Sequence, residues 1–589
     1  MKAASSHPVL GLLLLVSCTG EIGGSAHGGD VAGKPGGGPN GAGGSGGGTN
    51  SAGGGGGGAN SAGGGTTGTS CGTAVPGRAV LRRLNRDEYT NSLRELLGIT
   101  SSPGDLLPEE GTGPEGFNTN GDYLAISVPF ISQLLNASSA AISEGLSKSR
   151  ATLLACATAS ASPAAAPCAR EIVARFGKRA FRRPMSTEEI DAHTKIVTDA
   201  KASGLDDDTS IRFGLQSMLV SPFFLLHVVN ESAPNDPKAA HRLDDYELAT
   251  RLASFLRVSI PDPTLLDLAD KKQLNKPEIL AQQIKRLLGD ATSSARFAEA
   301  FGAQWLKTRQ VLTTVNPPPS VIATFDDELR QSMKRETDAL FENLVRSDVP
   351  PMEALTADYS FINARMAKHY GISGVTGTAM TRKSLAGTNR KGALSHASVL
   401  AATTHSGQTS PIARGYFVLS QLMCLSLSVP ANENIPSIEQ LIEESANLTV
   451  RQVMEKHLTR PDCAGCHREM DPIGLAFEAF DPIGRHRTVD EKNRAIDTSG
   501  DLPGAGPFRD HMGLIDLLSK DRRQQVMRCL TTMMMSYAVG RTMGPADQCA
   551  IDKIADGLAD THGISELVTR IASSDQFRSQ GGAQKGGAQ

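Results

Sequence analysis

The sequence predicts a mainly α protein, built as several helical modules in series behind a disordered Gly-rich tether. Three observations predict it. Capped, amphipathic periods of helical spacing recur from about residue 82 to residue 577, while strand signals are few. Glycine fills 62 of the 589 positions, and most of the excess falls before residue 75. The remaining chain has ordinary globular composition, long enough for several cores. With 59 basic and 62 acidic side chains the net charge is −3. No broad basic field exists to hold nucleic acid. Aromatic residues make up 4% of the chain with one Trp, too few for the platforms of a carbohydrate-binding sandwich.

The N-terminus reads as a leader. Residues 9–16 are apolar after Met1, Lys2 and a polar stretch, a run much shorter than the roughly 20 residues that span a bilayer as a helix. Its length is that of a signal-peptide core. Leu15-Val16-Ser17-Cys18 follows and resembles a bacterial lipobox, which makes 1–17 a lipoprotein signal peptide and Cys18 the lipidated residue. Thr19, where an inner-membrane retention signal has Asp, points to the outer membrane. The expected partner is therefore a membrane, reached through a lipid on Cys18. Residues 18–75 are mostly Gly, Ser, Ala, Asn and Thr, with little to bury and much entropy to lose on ordering. Fifty such residues reach about 40 Å. No later stretch is long and apolar enough for a transmembrane helix.

The first module, 76–148, opens on a capping box, Asn85-x-x-Glu88, followed by Tyr89, Leu93, Leu96 and Leu97 on one face and Gly98 as terminator. A longer helix covers about 128–146. The second, 150–230, has helical 171–180, a break at Phe181-Arg182-Arg183-Pro184, a second box at Ser186-x-x-Glu189, and a helix from 209 to about 229. Arg82-Arg83 and Arg182-Arg183 read as interdomain or surface salt bridges. The third, 240–372, starts at the box Asp244-x-x-Glu247. Asp262 or Pro263 opens its next helix, Pro277 occupies a favourable first-turn position, and a short helix is expected over 361–370. A fourth module covers 387–486, a fifth 500–578, and 579–589 reads as a flexible tail.

Nine cysteines are present. Setting aside Cys18, Cys463 and Cys466 leaves six, an even number suited to an oxidising compartment. Cys156 with Cys168, and Cys529 with Cys549, are the expected disulfide pairs. Free buried thiols are the alternative.

Cys463-Ala464-Gly465-Cys466-His467 is the attachment pattern of c-type haem. Two thiols one helical turn apart suit the two vinyl groups of one porphyrin, and the adjacent imidazole suits the iron. The expected cofactor is one covalent haem c, with His467 as proximal iron ligand and the sixth ligand open. The C-terminal part is then cytochrome c-like. A zinc site, with His486, His511 and Cys529 as further candidates, and a redox dithiol are the alternatives. Met470 is expected in the core, because a side chain three residues from His467 on one helical face cannot reach the opposite side of a haem. Met512, Met533, Met534, Met535 and Met543 lie farther off, the 533–535 run as a buried helix face. Asp471-Pro472-Ile473-Gly474 recurs as Asp481-Pro482-Ile483-Gly484, two expected turns. Leu475, Phe477 and Phe480 between them are placed to line a haem edge, and Arg485 and Arg487 either to meet propionates or to stand solvated. His396, His405, Ser406 and Ser410 lack a nucleophile-elbow context.

A resemblance extends over nearly the whole globular part. It is carried by the run 81–89 (Leu-Arg-Arg-Leu-Asn-Arg-Asp-Glu-Tyr), by Ala180-Phe181-Arg182-Arg183-Pro184, and by Ser221-Pro222-Phe223-Phe224 with 243–249. Thr409-Ser410-Pro411 with Arg414-Gly415, the 463–475 stretch with Phe480-Asp481, and Tyr537-Ala538-Val539-Gly540-Arg541 complete it. In these motifs and their order the chain resembles the planctomycete- and myxobacterial-type multidomain proteins of unknown function that carry DUF1587, DUF1595, DUF1592, DUF1588 and DUF1585 in series. The resemblance implies an exported, cytochrome-associated protein and supports haem at Cys463, Cys466 and His467. It implies neither a substrate nor a sixth ligand. Many relatives bear a separate cytochrome domain where this chain has its tether.

The function expected from the sequence is that of an exported, lipid-anchored c-type haem protein for electron transfer or oxidative chemistry at the cell envelope, with an unknown redox partner or substrate. The alternative is a non-enzymatic cell-surface scaffold or binding lipoprotein in which the Cys463/Cys466 pair is structural or binds zinc.

Overall fold

Many of the helices begin where the sequence supplies a side-chain oxygen for an unsatisfied amide. Asn85 accepts from the Glu88 amide at 2.8 Å while the Glu88 carboxylate accepts from the Asn85 amide at 3.0 Å, opening helix Arg86–Leu97, which Gly98 ends in the left-handed region. The same reciprocal box opens Thr187–Ala202 at Ser186 and Asp245–Arg257 at Asp244. Asp262 caps Pro263–Asp270, with proline in the first turn.

The computed structural model describes residues 80–156, 162–229, 240–404, 408–426, 447–459 and 461–581, the side chains of 457 and 461–463 excepted. The chain divides into two units, Met1–Thr69 and Ser70–Gln589. The leader and the whole of the expected tether, Cys18 included, lie outside the described residues, as do His405, Ser406 and the side chain of Cys463.

The described part is mainly helical and multidomain. Its strands form three antiparallel two-stranded ribbons: Ala240–Arg242 with Ser579–Gly581, Tyr359–Ile362 with Thr381–Ser384, and Gly500–Leu502 with Gly506–Phe508. Two expectations change here. Phe361 and Ile362 belong to a strand, and the helix starts after them as Ala364–Tyr370, capped by Asn363. Residues 579–581, expected in the tail, pair with 240–242 through the register Ala240↔Gly581.

The modules share cores. One apolar cluster joins Leu93, Leu97, Leu134 and Ile142 of the first module to Ile172, Leu215 and Met218 of the second. A larger one draws on Phe117, on Leu248 to Tyr359, on Leu394 to Met423, and on Met470 to Phe577. Its centre is aromatic: Phe301 stacks with Phe117 at 5.6 Å, Phe297 at 5.5 Å and Trp305 at 5.9 Å, and Tyr537 meets Phe117 edge-on at 5.5 Å. Such pairs add roughly 0.5–1.5 kcal/mol each beyond area burial. The Trp305 indole donates to the Gln421 carbonyl at 2.8 Å, tying the third module to the fourth.

Cys156 is bonded to Cys168. Cys529 is bonded to Cys424 rather than to Cys549. Cys549 is also disulfide-bonded. The expected staple between neighbouring helices is replaced by one spanning 105 residues. Among the described residues no helix is long and apolar enough to cross a membrane.

Candidate functional site

The Cys463-x-x-Cys466-His467 motif lies on helix Pro461–Leu475, which continues through Pro472. Cys466 and His467 are half-buried. The His467 Nδ1 lies 2.9 Å from the buried Asp471 Oδ1, one turn on. The helix crosses Pro411–Phe417 at close range. Any Cβ on Gly415 would overlap the Met470 carbonyl, and any Cβ on Gly474 the Pro411 carbonyl. Met470 itself is core, at 5% exposure.

This arrangement corrects the haem reading. Among the described residues, no three His, Cys, Asp or Glu side chains are grouped so as to hold a metal ion. His467 is set beside Asp471, and the cysteines that the structure pairs, Cys156–Cys168 and Cys424–Cys529, form disulfides. The residues expected to border a porphyrin are packed against protein. Phe477 and Phe480 belong to the large core, with the His511 ring 4.8 Å from that of Phe480, and Leu475 packs on Val453 and Met454. Arg485 pairs with Asp481, and Arg487 with Glu478 and Glu491. Met533, Met534 and Met535 are buried core. Covalent haem c at Cys463, Cys466 and His467, the cytochrome c-like module, metal binding and electron transfer are therefore withdrawn. The zinc alternative falls with them: Cys529 is in a disulfide, and the His511 Nε2 lies 2.8 Å from the Asn389 carbonyl.

The motif arginines join segments instead. Arg82 pairs with buried Glu88 at 2.7 Å and lies 3.1 Å from the His227 Nε2. Burial and the Arg82 charge push His227 down to about 3. The Arg82 charge, against the cost of burial, holds Glu88 down at about 2. Arg182, expected in a salt bridge, donates to the carbonyls of Phe223, Phe224 and Leu226 from a left-handed backbone position. Arg414, 2% exposed, donates to the carbonyls of Phe477 at 2.7 Å, Phe480 at 3.1 Å and Asp481 at 3.3 Å. Thr119 donates to the Tyr537 carbonyl, and the Gly121 amide to the Gly540 carbonyl. Arg541 grips Asp547 through two bonds of 2.7 and 2.8 Å. Buried pairs of this kind fix which surfaces meet more than they add net stability.

His396 sits in a sealed polar knot. Its Nδ1 is 2.9 Å from the Thr337 Oγ1 and its Nε2 3.2 Å from the Ser360 Oγ, while Ser360 donates to Glu336 at 2.7 Å. Ser, His and Glu are all present. However, Glu336 and Ser360 are 0% exposed and His396 1%, so no substrate reaches them. Ser410 caps Pro411–Phe417 through the Ala413 amide.

An open cavity of about 400 Å³ lies between the first and third modules. Arg86, Asp87, Thr90, Asn91 and Arg94 line one wall, from the polar face of Arg86–Leu97. Arg296, Glu299, Ala300 and Arg309 line the opposite wall, with Glu110, Asn118 and Val258 between. Val258, β-branched, is held at φ +51°, a conformation costing about 1–2 kcal/mol or more. There its carbonyl accepts from the Asn91 amide group at 3.0 Å. Glu110 takes the Arg86 amide on one oxygen and the Asn118 Nδ2 on the other, and burial pushes it up to about 7. Sequence reasoning missed this cavity. Its one local signal is the polar stripe Arg86, Thr90, Arg94, spaced four apart behind the apolar face.

Fold and motifs together define a helical protein whose five segments are joined through shared cores and buried arginines. Residues 82–146 match DUF1587, 168–228 DUF1595, 243–372 DUF1592, 390–490 DUF1588 and 506–577 DUF1585, each described as a protein of unknown function. The chain belongs to the multidomain proteins that carry this series of five. No curated protein and no solved structure matches it.

Proposed function

We propose that this protein is a non-enzymatic scaffold or binding lipoprotein of the cell surface, held at the outer membrane by a lipid on Cys18 and a Gly-rich tether. One observation carries the reading. The residues that define the family's motifs (Arg82, Glu88, Arg182, Arg414, Gly415, Gly474, Arg541) are engaged in joining segments, in a body cross-linked by Cys156–Cys168 and Cys424–Cys529. Disulfides of that kind suit an exported protein. The helix bearing Cys466 and His467 serves as one partner in the crossing with Pro411–Phe417. The anchoring part of the reading is supported by the lipobox-like residues before Cys18, since a lipid chain on a flexible tether requires no spanning helix.

The test is mass spectrometry of the mature protein, purified from a host competent for export and cytochrome maturation, together with fractionation of Cys18→Ser. A diacylglyceryl adduct on Cys18, membrane release of Cys18→Ser and an unmodified 463–467 peptide are expected. A tetrapyrrole on that peptide, or a wild-type protein recovered without lipid, overturns the proposal.

A further inference from the structure

The long helix of the first module, Val128–Leu153, is amphipathic over its N-terminal half without being charged there. Phe130, Leu134 and Ala137 point into the core shared with the second module. Between them Val128, Ile131 and Leu135 stand exposed, Val128 at 85%. A helix face turned to water ordinarily carries charged side chains, yet no Asp, Glu, Lys, Arg or His lies between Asp122 and Glu144. Tyr123 and Ile126 carry the exposed apolar face on ahead of the helix. Arg83 is turned inward, onto the Phe130 ring and the Ala125 carbonyl, and adds no charge to this surface. Exposed apolar side chains scattered singly are ordinary, but a run of them on one face marks an interaction surface.

The chain enters the described body beside this face. Val80 packs on Gly121, two residues before Tyr123, and the neighbouring Leu81 is 66% exposed. The tether has little with which to cover the face, since residues 18–75 are mostly Gly, Ser, Ala, Asn and Thr.

We propose that Leu81, Tyr123, Ile126, Val128, Ile131 and Leu135 seat the body on a lipid bilayer, their side chains dipping just below the headgroups. This rests on the anchored reading above and deepens it by naming the surface that meets the membrane. A lipid on Cys18 keeps that surface within roughly 40 Å of the bilayer, which turns a weak contact into a populated one. Buried apolar area drives the contact, and a tyrosine ring suits the boundary between headgroup and acyl chain. Val128 stands clear of its neighbours. A rigid protein partner needs a matching hollow for such a side chain, whereas acyl chains mould around it. With no ionisable group on the face, the attraction is insensitive to salt.

The experiment uses the full exported chain, once with its lipid and once as Cys18→Ser, on phosphatidylethanolamine/phosphatidylglycerol vesicles with brominated acyl chains. Ile131→Trp is the reporter, and Trp305, 2% exposed, supplies a shielded background to subtract. Flotation is read on the same samples. The reporter's emission is expected to fall by about half or more on the brominated vesicles, in the lipidated protein and, at higher lipid concentration, in Cys18→Ser. Raised salt should leave the half-saturating lipid concentration of Cys18→Ser unchanged, and Ile126→Ser/Val128→Ser should raise it about tenfold or more. Quenching in Cys18→Ser, when the wild type proves to carry no lipid, supports the seat and removes the anchor. Flotation of the lipidated protein without quenching keeps the anchor and overturns the seat, as does the absence of quenching in both forms. Quenching abolished by salt also overturns it. So does a dimer of Cys18→Ser in sedimentation velocity that Ile126→Ser/Val128→Ser dissolves, which would assign the face to a second copy of the chain.

Discussion

Gly465 and Gly474 stand on the same helix, and the same substitution at each is expected to act in opposite directions. Around a Cβ at Gly465 there is nothing within 4 Å. Alanine there should stabilise by up to about 1 kcal/mol, the helix-propensity difference. At Gly474 the added methyl overlaps the carbonyl, carbonyl carbon and Cα of Pro411, all backbone, so no side-chain rotation relieves it. Overpacking costs roughly 1–3 kcal/mol, and the absence of a soft neighbour puts this case near the top of that range. Net of propensity, Gly474→Ala should lose about 2 kcal/mol or more. Gly415→Ala presses on the Met470 carbonyl from the other helix, so one displacement relieves both. The double variant should therefore lose clearly less than the sum of the singles. Urea unfolding followed by the fluorescence of Trp305, the only tryptophan and 2% exposed, reads all four proteins. Midpoints that shift in the same direction for Gly465→Ala and Gly474→Ala would refute the close-crossing account, as would strict additivity.

Arg414→Met leaves three carbonyls without their donor and removes one of the two arginines paired with buried Glu478, and should cost about 3–5 kcal/mol by urea titration. Arg414→Lys should not restore it, because an ammonium cannot replace the planar fork that meets Phe477, Phe480 and Asp481. Removing Cys424–Cys529 as a double alanine variant should cost about 4–5 kcal/mol and removing Cys156–Cys168 about 3, from separations of 105 and 12 residues; a reversed order in differential scanning calorimetry would contradict the loop-entropy account. Stability should fall on acidification. His227 is neutral in the fold down to about 3, so its contribution is complete above about 6.5 and lost between about 6.5 and 3, and that of Glu88 is lost between about 4.5 and 2. Glu110 has the opposite sign. Its folded value is raised to about 7 from 4.5, so its contribution is present below about 4.5 and lost as pH rises through 7. Glu110→Gln should remove that alkaline slope in urea midpoints taken from pH 5 to pH 8.

Local features were legible in the sequence. The capping boxes at Asn85, Ser186 and Asp244 need only three residues of context, and the structure closes all three. The mainly helical class follows from the same periodicity. What depends on distant partners was not legible. Nothing near Cys529 names Cys424, and nothing near Arg182 names the carbonyls of residues 223–226. The haem motif shows the limit most clearly. Five residues specify an attachment chemistry, but a site also requires a space and a ligand set. In this fold Phe477, Phe480 and Met470 fill the apolar interior, and His467 faces Asp471. The recurrence of Asp-Pro-Ile-Gly misled in a related way. One copy is inside a helix, and the structural repeat is instead Asp481…Arg485 and Asp490…Arg494, two turns in which the aspartate accepts from the backbone and side chain of the arginine four residues on. The cavity was invisible for the same reason, since its walls lie some two hundred residues apart in the chain.

The ribbon that pairs Ser579–Gly581 with Ala240–Arg242, and the core that needs Phe577 beside Phe255, join stretches more than three hundred residues apart. Contacts of such long sequence separation form slowly, so the third module cannot finish its interior until a segment from beyond two other modules has docked.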